Sequence, residues 1–548
     1  MTDHRRRING GEAMIRAAMA NGIDTVFGIP GAQIYPLFDA IHRLPGIKAI
    51  VSRHEQGAGY MAMGYAKATG KPGAFAVVPG PGVLNTTAAL CTAWGCNTPI
   101  YCMTGQVPST FLGSRRGHLH ELSDQRATLS TLVKWAERID DPADSQALTN
   151  KAFEQMLSGR PGPVALEMCW DTMAKEWEVD VGRSFQMPDP AEPDGNQIEK
   201  ALKLLKGAKN IMIMVGGGAQ HASAEVLNLA KLLNAPVTAF RSGRGIVSED
   251  HELGMSIAAA RLLWEETDVL IGIGSRLEMQ YMRWGNMNIY HDRPQSGPRL
   301  IRIDIDPEEM DRFKPDVGII ADAAVGAASL ADRIASIVSR SKNNLKRISQ
   351  AKFESRNQIS KIQPQLAYLD VIRDVLPSDG YFVEEICQVG FTSYFGFPVY
   401  EPRTYVTCGF QGTLGFGLPT ALGVKVAAPE KVVVSVSGDG GFMYCMPELA
   451  TAVQHNIGVI AIVFNNNAFG NVRRDQLTQF DGRLIGADLV NPDFVKLADS
   501  FGVRPYRVRA PDELRTVLSK AIDEDAPALI EVVCKRGSEA SPWKFILG

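Results

Sequence analysis

Short apolar runs alternate with segments of helix length along most of the 548-residue chain. Most runs end in a glycine, a proline or a polar cluster. Parallel strands need crossover connections, usually helices, and burial on both faces gives them continuous apolar sequences. The alternation therefore predicts an α/β fold made of doubly wound parallel sheets. The predicted strands are 25–27, 49–52, 74–78, 100–104, 211–215, 236–239, 269–273, 300–305, 381–383, 432–436, 459–464 and 528–533.

Two polar segments divide these predicted strands into three groups. The segment 182–197 is rich in proline and acidic residues, and 339–361 is charged and lacks strong apolar periodicity. We interpret both as linkers, the second of them partly helical. A chain of this length accommodates about three domains at roughly 150 residues each. We predict three consecutive domains at 1–182, 197–340 and 362–548.

Composition and charge argue against several classes of function. The net charge of −3 and the isoelectric point of about 6.3 predict no nucleic-acid partner. No segment approaches the roughly 20 apolar residues of a membrane span, so no membrane partner is expected. The basic run Arg5–Arg7 precedes no apolar stretch, and we interpret it as a solvated tail. Eight cysteines without a C-x-x-C pair are typical of a cytoplasmic protein.

Hard oxygen ligands follow two consecutive predicted strands in the third group. Asp439 stands between glycines directly after 432–436, and Asn466 lies in an Asn-Asn-Asn run after 459–464. Mg²⁺ prefers such oxygen ligands and usually keeps phosphate and water among them. A glycine-rich turn and a plain loop would explain either motif alone. Their positions at two strand ends, joined by one predicted helix at 447–455, favour a cation site.

Asp439 within G-D-G, followed by the asparagine run, resembles the diphosphate-binding motif of thiamine-diphosphate enzymes. The likeness extends over nearly the whole chain and indicates the acetohydroxyacid (acetolactate) synthase, pyruvate oxidase and benzoylformate decarboxylase group. It implies a pyrimidine-binding, a central and a diphosphate-binding domain, in that order. It also implies that Asp439, Asn466 and the carbonyl of Ala468 bind Mg²⁺. The implied cofactor-binding residues are Gly31, Ala32, Pro79, Asn85, Gly412, Leu414, Gly438, Asp439, Gly440, Gly441, Asn466, Phe469, Gly470, Asn471 and Val472.

Two further segments resemble the parts of the family that act on the aminopyrimidine ring. In the run 409–417 the resemblance implies that Leu414 wedges beneath the cofactor and that the Gly412 carbonyl accepts from its amino group. The sequence R-H-E-Q-G-A-G places Glu55 as the activating glutamate, although a lone glutamate after a strand is usually a surface residue. A desolvated carboxylate suits this role because it holds a proton at the ring nitrogen near neutral pH.

In family members this glutamate acts on cofactor held mainly by another subunit. The resemblance therefore implies a homodimer or homotetramer with active sites at the subunit interface.

Residues near the substrate are predicted from the same resemblance. Gln106 matches a glutamine that faces the reacting centre. In the following run 115–121, Leu119 and His120 stand where the synthases carry Phe and Gln, and His118 lies beside them. These imidazoles either shuttle protons or bind a carboxylate, or they lie on a solvated loop. Asn471 and Asp475 also differ from the synthase pattern and predict a polar acceptor pocket or none. The C-terminal run 541–545 is either a lid or an aromatic anchor.

The central domain carries glycine-rich and acidic clusters at predicted strand ends. They are 215–218, 272–276 and 303–307, and they resemble the segments that hold FAD in some relatives. However, Arg276-Leu277-Glu278 lacks the paired aspartates of the synthase version. FAD, another adenine nucleotide and an empty domain all remain open.

The predicted function is that of a thiamine-diphosphate and Mg²⁺-dependent 2-oxo acid decarboxylase or carboligase. The resemblance implies a reaction through a C2 carbanion and an enamine, with a small 2-oxo acid or acyloin as substrate. One alternative is a carbon–carbon lyase that splits an acyloin or a 2-hydroxyacyl-CoA. Another is an inactive regulatory homologue, which predicts the loss of Glu55, Asp439 or Asn466. All three residues are present.

Overall fold

Three six-stranded sheets, each with all strands parallel, form the frame of the computed structural model. The structure describes residues 5–279, 284, 297–312, 314–334, 344–540 and 542–543. The predicted α/β class with three consecutive parallel-sheet units is confirmed. Among the described residues, no helix is both long and apolar enough to cross a membrane.

The first sheet has the strand order β3-β2-β4-β5-β7-β6. β2, β3, β4 and β5 match the four predicted runs to within two residues, because buried parallel strands are continuous apolar stretches, whereas β6 and β7 were not predicted. The strands of this unit are β1 (Arg5–Asn9), β2 (Thr25–Gly28), β3 (Lys48–Val51), β4 (Gly73–Val77), β5 (Ile100–Gln106), β6 (Trp135–Ile139), β7 (Val164–Cys169) and β8 (Glu176–Asp180). The helices are α1 (Gly10–Ala20), α2 (Tyr35–Arg43), α3 (Glu55–Thr69), α4 (Pro81–Asn85), α5 (Thr87–Gly95), α6 (Gln125–Ser130), α7 (Ser145–Leu157) and α8 (Trp170–Ala174).

The basic run near the N-terminus is part of a strand, so the interpretation as a solvated tail was wrong. β1 pairs antiparallel with β8 in a separate two-stranded sheet. Arg7 forms an ion pair of 3.2 Å with Glu176, and Ile8 packs against a small cluster that contains Val179. Pairing with a strand about 170 residues away satisfies the backbone, and the local sequence carries no signal for it.

The central sheet has the order β11-β10-β9-β12-β13-β14. Counted within this unit, the order is that of dinucleotide-binding sheets, in which the first and fourth strands are adjacent. The strands are β9 (Ile211–Val215), β10 (Val237–Ala239), β11 (Gly254–Met255), β12 (Val269–Ile273), β13 (Arg299–Asp304) and β14 (Val317–Ile320). The helices are α9 (Gly195–Lys206), α10 (Ser223–Leu233), α11 (Ile257–Leu262), α12 (Glu308–Arg312) and α13 (Ala323–Ile334).

The third sheet has the order β16-β15-β17-β18-β20-β19, which repeats the topology of the first. Residues 344–359, interpreted as part of a linker, form one helix that buries Ile348, Ala351 and Ile359. The helices are α14 (Asn344–Ile359), α15 (Gln365–Val375), α16 (Gln388–Gly396), α17 (Gly417–Ala427), α18 (Asp439–Phe442), α19 (Glu448–Gln454), α20 (Gly470–Gln479), α21 (Phe494–Phe501) and α22 (Pro511–Glu524). The strands are β15 (Tyr381–Glu384), β16 (Tyr405–Val406), β17 (Val433–Gly438), β18 (Ile460–Asn465), β19 (Arg504–Val508) and β20 (Ala528–Val533).

Candidate active site

A cavity of about 230 Å³ lies at the carboxyl ends of β15, β17 and β18. β15 and β17 are neighbours in the sheet, and the strand order reverses between them. Sheets of this topology bind ligands at such a switch point. All the cofactor and metal residues predicted in the third unit line this one cavity. They are Gly412, Leu414, Gly438, Asp439, Gly440, Gly441, Asn466, Ala468, Phe469, Gly470, Asn471 and Val472.

Two oxygen ligands converge in this cavity. Asp439 begins α18 and is buried, with 1% of its surface exposed. The N–H of Ala468 donates both to Asp439 Oδ2 at 3.2 Å and to Asn466 Oδ1 at 3.1 Å. One donor shared by both side chains places the carboxylate and the amide oxygen close together. Burial raises the pKa of Asp439 above its ordinary value, although hydrogen bonds from Asn491 and from the Ala468 N–H act in the opposite direction.

These residues fit Mg²⁺ bound together with a diphosphate. A carboxylate, an amide oxygen and a backbone carbonyl leave room for phosphate oxygens in an octahedral shell. Among the described residues, no group of three or more His, Cys, Asp or Glu side chains forms an all-protein metal site. Mg²⁺ sites commonly take their remaining ligands from phosphate oxygens and water.

The backbone around Asp439 also fits an anion. A Cβ atom on Gly440 would lie 2.4 Å from Phe469 Cε1, and one on Gly441 would lie 2.0 Å from Glu385 Oε1. A side chain at either position would force the Phe469 ring or the Glu385 carboxyl group to move. The first turn of α20, beginning at Gly470, faces the same cavity and presents free N–H groups that favour a phosphate.

Side chains that the sequence analysis did not single out complete the site. Asn491 donates from Nδ2 to Asp439 Oδ2 at 2.6 Å, and Glu539 accepts from Asn466 Nδ2 at 2.7 Å. Gln388 donates to the Asn471 side chain and accepts the Ala540 N–H at 2.9 Å. Asn491 and Glu539 lie in loops distant in sequence from the motifs, so no local pattern identified them.

The residues predicted in the first unit lie elsewhere in the chain. Glu55 is the first residue of α3, is half-buried, and accepts from Asn85 Nδ2 at 2.9 Å. The described residues that line the third-unit cavity all belong to 364–539. Glu55 and Asn85 are therefore not part of the cavity formed by their own chain.

A hydrogen-bonded pair holds His120 at the edge of the first sheet. Gln33, which is buried, donates from Nε2 to the Leu119 carbonyl at 3.0 Å. Its Oε1 lies 3.0 Å from His120 Nδ1. Because this oxygen only accepts, Nδ1 of His120 is the donor in this contact. His118 belongs to the same loop, and its ring lies 3.7 Å from that of Phe111.

The remaining predicted residues of the first unit lie at or just after the carboxyl ends of strands β2, β4 and β5. Gly31 and Ala32 open a short 3-10 turn, where a Cβ on Gly31 would lie 2.3 Å from a Val78 methyl. Pro79 precedes Gly80, whose N–H donates to the buried Gln125 at 2.9 Å. Gln106 is also buried and donates to Glu167 at 3.3 Å.

The sequence matches three domain profiles in the order that this architecture requires. They are described as the N-terminal TPP binding domain (residues 8–128), the central domain (198–330) and the C-terminal TPP binding domain (386–532) of thiamine pyrophosphate enzymes. The chain belongs to the thiamine pyrophosphate enzyme family. Thiamine pyrophosphate and thiamine diphosphate are the same cofactor.

Curated relatives align with this thiamine pyrophosphate enzyme over nearly their full length. A probable acetolactate synthase large subunit of Methanococcus aeolicus is 32% identical over 97% of this chain and 93% of its own. A probable 2-ketoarginine decarboxylase of Pseudomonas aeruginosa is 31% identical over 96% and 94%. The acetolactate synthase large subunit of Haemophilus influenzae is 32% identical over 94% and 92%. The chain is an enzyme of the acetolactate synthase type.

In this thiamine pyrophosphate enzyme, α20 has a polar surface at Asn471 and Asp475, for which the sequence predicted a polar acceptor pocket or none. Arg474 donates to Asp475 at 2.9 Å and to the Asn471 side chain at 3.3 Å. Trp543 packs edge-on against Phe391 and Phe395 of α16, as the anchor alternative requires. Residues 541, 544 and 545 of the predicted lid lie outside the described residues.

A second cavity, of about 430 Å³, lies where the three units of the enzyme meet. Gly216–Gly218 after β9 and Gly274–Arg276 after β12 line it at the switch point of the central sheet. Arg241 forms an ion pair of 3.0 Å with Glu278 on its wall. The Arg276 guanidinium lies 4.7 Å from the centre of the Phe410 ring and joins the central and third units.

The buried carboxyl group of Glu385, beside the cavity of the third unit, is expected to make the stability of the fold depend on pH. Glu385 accepts N–H bonds from Gly415 at 2.9 Å and Gly417 at 2.8 Å and the Ser437 hydroxyl at 3.1 Å. Desolvation nevertheless raises its pKa from 4.5 to about 7. A raised carboxyl pKa stabilises the fold below pH 4.5, and this contribution of about 3 kcal/mol is lost as the pH rises to 7.

We expect the Glu385→Gln variant to lose less stability than the wild type between pH 5 and pH 8, because glutamine does not titrate. The unfolding midpoint in urea, measured at several pH values, checks this. Glu354→Gln on the exposed side of α14 is the matched control and should keep the wild-type slope. An equal pH slope in Glu385→Gln would contradict the prediction.

Proposed function

We propose that this enzyme is a Mg²⁺-dependent 2-oxo acid decarboxylase or carboligase. The observation that carries the proposal is the cavity of the third unit, in which Asp439 and Asn466 share one N–H donor beside a glycine-lined backbone. Thiamine diphosphate supplies the electron sink that lets the bond next to a carbonyl break. In the proposal, the protein's residues hold the diphosphate and its cation, orient the substrate, and donate or accept protons at the cofactor and the substrate.

Separation of Glu55 from its own chain's cavity supports an active site shared between subunits. The cavity is lined by 364–539, whereas Glu55, Asn85 and His120 lie at the carboxyl edge of the first sheet. Exposed apolar side chains occur on both surfaces, including Leu84, Leu119, Tyr444 and Val472. Such side chains favour burial against a partner. We propose a cytoplasmic homodimer or homotetramer in which the first unit of one subunit faces the third unit of another.

The substrate assignment follows the names of two relatives. One is an acetolactate synthase and the other a 2-ketoarginine decarboxylase. In the proposed mechanism, a carboligase and a simple decarboxylase share the same first step, which is the loss of carbon dioxide from a 2-oxo acid. Carbon dioxide release from pyruvate, 2-oxobutyrate, glyoxylate, benzoylformate and 2-ketoarginine is the direct test, with thiamine diphosphate and Mg²⁺ present and then omitted.

Release that requires both cofactors supports the proposal, and the best substrate shows the size and charge of the pocket. Product analysis for an aldehyde or an acyloin distinguishes a decarboxylase from a carboligase. Protein that binds the cofactor but releases no carbon dioxide from any of these acids would contradict the proposal. The lyase alternative would then be tested with acyloins and 2-hydroxyacyl-CoA.

His120 is proposed to accept or deliver a proton at the substrate, with Nε2 as the reacting atom. We expect His120→Asn to lower turnover about 100-fold while thiamine-diphosphate binding stays unchanged. Steady-state kinetics on the best acid of the panel and calorimetric cofactor titration check this. His42→Asn on the exposed face of α2 is the matched control. Wild-type turnover in His120→Asn would contradict a catalytic role and favour the alternative that this histidine lies on a solvated loop.

For the central cavity we propose a nucleotide of the FAD class. Its glycine-lined strand ends and its place at the switch point fit a pyrophosphate, and Arg241 and Arg276 offer cationic groups. The absorption spectrum of purified protein tests the proposal. A flavin band would support FAD, and adenine absorbance released on denaturation would indicate another adenine nucleotide. The absence of both signals would contradict the proposal.

A further inference from the structure

A buried carboxylate of the third unit contacts the backbone just before Glu55. Glu448 is the first residue of α19, and none of its surface is exposed. Its carboxylate accepts the N–H of Arg53 at 3.1 Å, the N–H of His54 at 3.0 Å and the Thr451 hydroxyl at 2.6 Å. Arg53 and His54 are the two residues that immediately precede Glu55 in the chain.

The contact is closely fitted on the side of α3 as well. A Cβ on Gly57 would lie 2.2 Å from Glu448 Oε1, so only glycine allows the first turn of α3 to approach the carboxylate this closely. His54 is the N-cap of α3, and its ring accepts from the Gln56 N–H at 3.1 Å. A carboxylate at a helix N-terminus is favoured by the unpaired N–H groups and by the helix dipole.

A second bond from α19 holds the preceding strand. His455, just after α19, accepts the Val51 N–H at its Nε2 atom at 3.0 Å. Val51 is the last residue of β3. The third unit thus forms hydrogen bonds with the backbone at the end of β3 and again just before α3. Glu55 is the next residue after these contacts, so its backbone position depends on them.

We propose that Glu448 is a positioning residue for Glu55. Its carboxylate holds two consecutive N–H groups and thereby sets where α3 begins and where the Glu55 side chain points. The inference rests on the proposed role of Glu55 in activating the cofactor. Glu448 does not line the cofactor cavity, and it acts only through the backbone of Arg53 and His54.

The test uses the full-length enzyme loaded with thiamine diphosphate and Mg²⁺, without any substrate. Exchange of the thiazolium C2 proton in D₂O, stopped by acid and read by NMR, measures cofactor activation directly. We expect Glu448→Gln to slow this exchange about 10- to 100-fold, because small displacements of a catalytic group have effects of this size. Calorimetric affinity for the cofactor and the thermal unfolding midpoint should stay near the wild-type values.

Gln454→Ala is the matched control on the same helix. Gln454 accepts from the Arg53 side chain at 2.6 Å and does not touch the backbone donors, so wild-type exchange is expected. Should Glu448→Gln fail to fold, Glu448→Asp keeps the charge but withdraws the carboxylate, and slow exchange is again expected.

Exchange at the wild-type rate in a folded Glu448 variant, with Glu55→Gln slow, would overturn the positioning role alone. Exchange at the wild-type rate in Glu55→Gln would instead overturn the role of Glu55, and the inference with it. In a Glu55→Gln/Glu448→Gln double variant we expect no further slowing beyond Glu55→Gln, because both changes act through one group.

Discussion

Replacing Glu55 by glutamine is expected to lower turnover by about 10²- to 10⁴-fold. The side chain would keep its shape and its contact with Asn85, which now lies at 2.9 Å. In the proposed mechanism, what it loses is the ability to hold a proton at the pyrimidine nitrogen of the cofactor. Since most of the proposed cofactor residues and all the proposed metal residues lie in the third unit, cofactor affinity should change little.

Turnover on the best 2-oxo acid and a calorimetric cofactor titration check this expectation together. Glu154→Gln on α7 is the matched control, because it removes one half-buried glutamate of the first unit, whose carboxylate pairs with Lys151 on the same helix. A Glu55→Gln enzyme with full turnover would remove Glu55 from the mechanism. Lost cofactor binding would show that Glu55 has a binding role in place of an activating one.

Replacing Asp439 by asparagine is expected to weaken Mg²⁺-dependent cofactor binding by about 100-fold or more. Even groups that only orient metal ligands typically change metal affinity by 10- to 100-fold. Asp439 is proposed as a direct ligand and is the buried carboxylate at the centre of the site. Asparagine also turns an N–H₂ group towards the donors of Asn491 or Ala468, which now bond the carboxylate.

Titration of thiamine diphosphate at a series of Mg²⁺ concentrations measures this loss. Asp499→Asn, an exposed position on α21, should bind as the wild type does. Equal Mg²⁺ dependence in Asp439→Asn and the wild type would contradict the assignment of the metal ligands. Thermal unfolding of the variant without cofactor separates this effect from a loss of stability.

Much of the fold could be predicted from the sequence, because each buried parallel strand is a short continuous apolar run that is visible in the local sequence. Predicted runs such as 211–215, 269–273 and 528–533 coincide with strands β9, β12 and β20. The pairing of β1 with β8 was missed, since its partners are remote and short. The helix α14 was taken for a linker because its buried face carries only a few apolar residues among many charged ones.

The sequence by itself determined which chemical groups are candidates for the site: a carboxylate and an amide at consecutive strand ends, and a glutamate at the start of a helix. Tertiary structure decided which of these residues meet. It gathers the third-unit residues around one cavity and keeps Glu55 outside it, because Glu55 follows a strand of a different sheet. It also recruits Glu385, Asn491, Glu539 and Glu448. Their roles come from contacts across loops and domains, which no local sequence pattern encodes.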